Sequence, residues 1–168
     1  QSNNTSNQLI FSDKEGFSLS YFYLKITSLS DDTIYYTLDG SLPSDTSYIY
    51  IDSLLIQDQS SSQNVLSEIR TTPEQHLIWF HAFAKPSGLI DKGVVLRCAS
   101  YHKGVRTSKV YTKSFFVDGD IFEKYSLPVI SLVTDKNNLF NTDTGIYVPG
   151  VHYDETDPIL TGNYFQRG

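Results

Sequence analysis

TIYYTLDGSLPS, residues 33–44, decides the fold. In an extended chain Ile34, Tyr36 and Leu38 point to one side and Thr33, Tyr35 and Thr37 to the other, the two-residue period of a half-buried strand. Asp39 and Gly40 then stop it. Glycine takes positive φ without a Cβ clash, the Asp39 carboxylate is placed to accept from backbone N–H groups just ahead, and Pro43 has no N–H for a continuing ladder. Tyr36, Thr37, Asp39, Gly40 and Pro43 therefore read as a structural turn motif on the end of a strand.

Upstream, residues 21–27 carry Phe22, Leu24 and Ile26 against Tyr21, Tyr23, Lys25 and Thr27, a second strand. Ser30, Asp31 and Asp32 supply a turn between the two, so an antiparallel pair is expected. Downstream, residues 47–51 and 54–56 read as short strands and residues 57–64 as a polar loop. Residues 65–70 have room for one helical turn before Pro73, and residues 77–83 read as a strand or as an apolar loop covering an edge. Alternation returns at residues 94–101, turns at His102, Lys103 and Gly104, and comes back over residues 105–117. About seven short strands with Gly- and Asp-containing turns predict an all-β fold, an Ig-like antiparallel β-sandwich.

The sandwich is expected over residues 9–118, after a flexible polar tail at residues 1–8. Residues 119–168 read as an extension of mostly loop and short strands, including the apolar run 129–133 and an extended piece at 146–148. Ten Phe, twelve Tyr and one Trp in 168 residues supply the large side chains a sandwich core needs.

A formal net charge of −6 with scattered Lys and Arg argues against nucleic acid, which requires clustered cations to displace counterions. No apolar run approaches the ~18 residues of a membrane span. The chain has no Met, and its polar start fits a terminus from which a signal segment has been removed. The single cysteine, Cys98, lies in a strand-like run and reads as a buried small residue.

Four stretches in order, FSDKEGF (11–17), TIYYTLDGSLPS (33–44), KGVVLR (92–97) and SKVYTKSFFV (108–117), resemble the Ig-like domain named after the C-terminal domain of chitobiase and β-hexosaminidase. That family has a strand ending Y-T-x-D-G-x-x-P, then R-A-x-A, where this chain places Cys98 for the usual Ala. It closes on S-x-V-x-T-x-x-Y-F, where this chain has Phe115 and Phe116. YSLPVISLVTDKNNLFNTDTGIYVPG, residues 125–150, resembles the opening of a spore-coat CotH kinase-like domain, so residues 119–168 are expected to be a linker and the truncated start of such a domain. The resemblance implies a bacterial secreted or surface protein. It also implies that ATP and a divalent metal belong to a kinase region whose catalytic residues lie outside this chain. No Gly-rich phosphate loop, paired Lys or Asp/Asn metal cluster is found here, so no catalytic residue is nominated.

Other chemistry is thin. Asp135, Asn137, Asn141 and Asp143 are oxygen-rich, but Leu139 stands where an EF-hand loop requires its third oxygen ligand, and no metal site is assigned. Asp118 and Asp120 read as a loop between units. His76, His81, His102 and His152 lack zinc spacing, and no nucleophile elbow or carboxylate pair is identifiable. Tyr21, Tyr23 and Tyr35 on outer strand faces, with Trp79, form a candidate sugar-stacking set, to be weighed against aromatic pairing that only stabilises a sheet.

The expected role is a non-catalytic accessory or spacer module without a cofactor, positioning a neighbouring domain of the same protein. Binding of a cell-surface polysaccharide or protein, and service as the front of an atypical kinase, are the alternatives.

Overall fold

The computed structural model describes residues 8–72, 82–154 and 161–163. Among them are ten strands: β1 (Leu9–Phe11), β2 (Gly16–Ser18), β3 (Phe22–Leu24), β4 (Ile26–Ser28), β5 (Thr33–Thr37), β6 (Tyr48–Ile49), β7 (Leu54–Ile56), β8 (Val94–His102), β9 (Val105–Arg106) and β10 (Tyr111–Val117). Two short helices, α1 (Ile121–Lys124) and α2 (Lys136–Phe140), and a 3-10 turn at Leu66–Glu68 complete the elements. The chain forms two units, Gln1–Ser60 with Asp91–Val133, and Ser61–Ile90 with Thr134–Gly168.

The first unit is an all-β sandwich. One sheet runs β2-β10-β8-β5-β6, with β9 hairpinned onto β8, and the other side is built from the ladders β1-β4 and β3-β7. Leu24, Ile26 and Ile56 from the ladders meet Ile34, Leu96, Cys98 and Phe115 from the large sheet in one buried cluster. Even-numbered residues of β8 face this core and odd-numbered ones the outer face, the alternation its sequence displays. Cys98 is buried, and burial pushes its thiol up to about 12, which keeps it an inert packing group. Lys103 and Gly104, with φ of 49° and 79°, give the two-residue turn that returns β8 into β9.

Several expectations are corrected. Residues 21–27 and 33–38 do not pair with each other: β3 pairs with β7, β4 pairs with β1, and β5 lies between β8 and β6. Both carry an apolar face, and setting those faces against each other from opposite sheets buries more than an edge-to-edge pair would. The Ser30 to Asp32 connection therefore crosses between sheets.

Residues 9–18 contribute β1 and β2, the latter parallel to β10, so the strands outnumber the seven expected. The return strand is split into β9 and β10 because Ser108 turns inward, its Oγ accepting from the Ser100 N–H at 2.9 Å and donating to the Lys109 carbonyl at 2.8 Å. Leu38 is exposed and Thr37 buried, the reverse of simple alternation, because the turn captures the Thr37 hydroxyl. Residues 129–133 add no strand, and residues 146–148 form a turn.

In the second unit the helical turn expected within residues 65–70 is the 3-10 turn Leu66–Glu68. Asn64 staples residues 88–90, donating from Nδ2 to the Gly88 carbonyl at 2.9 Å and accepting from the Ile90 N–H at 3.3 Å. Residues 77–81 of the run 77–83 lie outside the described residues.

Candidate functional site

The turn after β5 is tied both within itself and to a distant strand. Asp39 Oδ1 accepts from the Ser41 N–H at 3.0 Å and from Ser41 Oγ at 2.6 Å, and the Thr37 hydroxyl donates to the Ser41 carbonyl at 2.6 Å. Gly40 sits at φ 81°, where a side chain would be strained. Two distant side chains from β8 then hold the turn down. Arg97 Nη1 donates to the Gly40 carbonyl at 3.1 Å, and Tyr101 OH donates to the Pro43 carbonyl at 2.6 Å. Asp39 also bridges to Val95 of the same strand.

Tyr36 packs against the core, its ring 5.7 Å from that of Tyr48, and burial raises its phenol above the ordinary range. Thus Thr37, Asp39, Gly40 and Pro43 belong to one anchored turn, while Tyr36 packs in β5 just before it. Sequence reading missed Arg97 and Tyr101 as its anchors. The only signal was their odd-numbered, outward position in an alternating strand.

The candidate sugar-stacking set is dispersed. Tyr21 and Tyr23 are 65% and 59% exposed, but their rings stand at 89° with centroids 6.4 Å apart, a corner rather than a flat platform. Tyr35 is in the large sheet, edge-on to Tyr101 at 5.2 Å and half-buried, so it does not share a face with Tyr21 and Tyr23. Trp79 lies outside the described residues, as do His76 and His81.

A second constellation, which the sequence did not announce, lies beyond the end of β10. Lys124 Nζ donates to the Asp118 carboxylate and lies 3.4 Å from Asp91 Oδ1, while Tyr125 OH donates to Asp91 Oδ2 at 2.9 Å. Lys124 holds the Asp118 carboxyl below the usual range and is itself raised by that contact. The hydrogen bond to Asp91 raises the Tyr125 phenol. Asp91, Asp118 and Tyr125 line a pocket of about 120 Å³ together with Phe116, Val117, Ile121 and Val129. That is small beside the roughly 300–1,000 Å³ of ordinary small-molecule sites, and the rim charges satisfy one another.

At the opposite end of β8, Asp32 accepts from Thr107 Oγ1 at 2.6 Å and lies 3.1 Å from His102 Nδ1. The Thr107 hydroxyl, with lesser contributions from Ser30 and His102, holds its carboxyl below the ordinary range.

The oxygen-rich loop of the second unit is spent on local structure. Asp135 caps α2 by accepting from the Asn137 N–H at 3.0 Å, and Asn141 Oδ1 accepts from the N–H groups of Asp143 and Thr144 at 2.8 and 3.1 Å. Among the described residues no group of three or more His, Cys, Asp or Glu is placed to hold a metal ion. Likewise no described helix is long and apolar enough to cross a membrane.

A family model described as Fn3 associated matches residues 24–115, more than half of the chain and the stretch that runs from β3 into β10. Neither a curated protein nor a solved structure matches.

Proposed function

Since the chain belongs to the Fn3 associated family, we propose that it is a non-catalytic Ig-like accessory module, a spacer that positions a neighbouring domain of a CotH-like protein on or outside a bacterial cell. One observation carries the reading. The side chains of the most distinctive motif are consumed in holding a turn, with Thr37 and Asp39 bound to Ser41 and the backbone clasped by Arg97 and Tyr101. The likeness of residues 33–44 and 92–117 to the chitobiase C-terminal-like domain, and of residues 125–150 to the start of a CotH kinase-like domain, supports the finer assignment. No cofactor is proposed for this chain. Titration with ATP and Mg²⁺, followed by calorimetry and thermal unfolding, is expected to leave the midpoint unchanged. Saturable nucleotide binding would overturn the spacer reading in favour of a kinase front end.

The exposed corner of Tyr21 and Tyr23 favours a second reading, weak carbohydrate binding, because both side chains are largely open to solvent. Affinity electrophoresis through polysaccharide gels tests it with the Tyr21→Ala/Tyr23→Ala double variant as control. Retardation of the parent chain and not of the variant would support it, and equal mobility would dismiss it.

A further inference from the structure

Residues 129–133 add no strand to either sheet, yet they alternate as a strand does. Three side chains point at the outer face of the β8-β10 pair. Val129 lines the pocket beside Phe116, the Ser131 hydroxyl is 2.7 Å from that of Ser114, and Val133 Cγ1 lies 4.0 Å from where a β-carbon on Gly40 would be. The intervening Ile130 and Leu132 are 80% and 87% exposed. Ser114 and Val95 are paired across β10 and β8, and Val95 Cγ1 is itself 3.5 Å from the Gly40 β-carbon position, so the three contacts trace one line across the sheet to the anchored turn.

We propose that residues 129–133 are a docked strap, held in register by side chains rather than by ladder hydrogen bonds, which fixes the line along which the chain leaves the sandwich. The idea deepens the spacer reading and rests on it only for its purpose. The experiment below reads the strap alone, whereas nucleotide and polysaccharide titrations read the spacer role, so either fails without the other.

The test is a pair of cross-linking variants of the full chain. Ser114→Cys with Ser131→Cys is expected to form an intramolecular disulfide under mild oxidation, because hydroxyls in contact bring the two β-carbons within disulfide reach. Ser114→Cys with Leu132→Cys, whose second thiol faces solvent, is expected to stay reduced. Equal cross-linking of both pairs, or none in the first pair with the fold intact by circular dichroism, overturns the docked register. The unaltered chain gives an independent measurement. A nuclear Overhauser contact between the Gly40 α-protons and a Val133 methyl is expected, together with fast amide exchange over residues 129–133 against slow exchange in β8. Absence of the contact overturns the docking. Exchange as slow as that of β8 would make the segment a strand and overturn its being a strap.

Discussion

β8 and residues 129–133 are both apolar, strand-like runs, and they end in opposite conditions. β8 has β5 on one side and β10 on the other, with Leu96 and Cys98 fully buried. The later run lies across the outer face with Ile130 and Leu132 in solvent. A period of two states which side chains share a face; it does not state whether a ladder position is open to receive the strand. The comparison breaks if Leu96 and Leu132 respond alike to truncation. Leu96→Ala leaves a cavity in a closed core and is expected to cost about 2–5 kcal/mol. A denaturant-melt midpoint that falls by less than ~1 kcal/mol equivalent would show that β8 is not the centre of the fold.

The next largest effects fall on the turn beside both regions, since a β-carbon on Gly40 would lie 3.5 Å from Val95 Cγ1 of β8 and 4.0 Å from Val133 Cγ1 of the strap. Gly40→Ala forces a β-carbon into φ 81° and is expected to cost about 1–2 kcal/mol in chemical denaturation. Tyr101→Phe keeps the ring under Tyr35 but frees the buried Pro43 carbonyl, for a smaller loss of about 0.5–1.5 kcal/mol. If Tyr101→Phe proved the costlier of the two, the turn would be held mainly by its anchor and the left-handed glycine would be secondary.

These residues mark how far the sequence could be read. The sandwich class, β5 with its Asp39-Gly40 turn, the inward Cys98 and the Lys103-Gly104 hairpin were all legible, because each depends on neighbours within a few positions. The pairing of β3 and β4 was not, since Phe22, Leu24 and Ile26 declare an apolar face and leave the partner strand open. Nor was the split at Ser108, which follows from one buried hydroxyl bonding a strand backbone eight residues away. At the candidate sites the same limit applies. The internal bonds of the turn were readable, its grip by Arg97 and Tyr101 spans 57 and 58 residues, and the grouping of Asp91, Asp118, Lys124 and Tyr125 exists only in the fold.

Acid tests the end of β8 that leads into β9. Asp32, bonded to Thr107 and beside His102, has a folded pKa below its unfolded one. Its contribution to stability is therefore complete above the ordinary carboxylate range near pH 4 and is lost as pH falls through the lowered folded value. Asp32→Asn is expected to lower the melting midpoint at pH 7 and to shrink the gap between parent and variant toward pH 3. A gap that stayed constant from pH 7 to pH 3 would mean that the Asp32 charge does not secure the β8-β9 end.

The smallest effect is the most discriminating one for the strap. Leu132→Ser replaces a side chain that is 87% exposed, so stability should move by less than about 0.5 kcal/mol. Val129→Ser, one alternation step inward, removes apolar area over Phe116 and Ile121 and should cost measurably more, although Val129 is itself 38% exposed. The ordering matters more than either size. In a loose tether both substitutions would be silent, and in an eleventh strand both would hurt through propensity. Only a segment seated on alternate side chains makes the inward position count and the outward one indifferent, so equal midpoints for the two variants would leave β8 without a strap on its outer face.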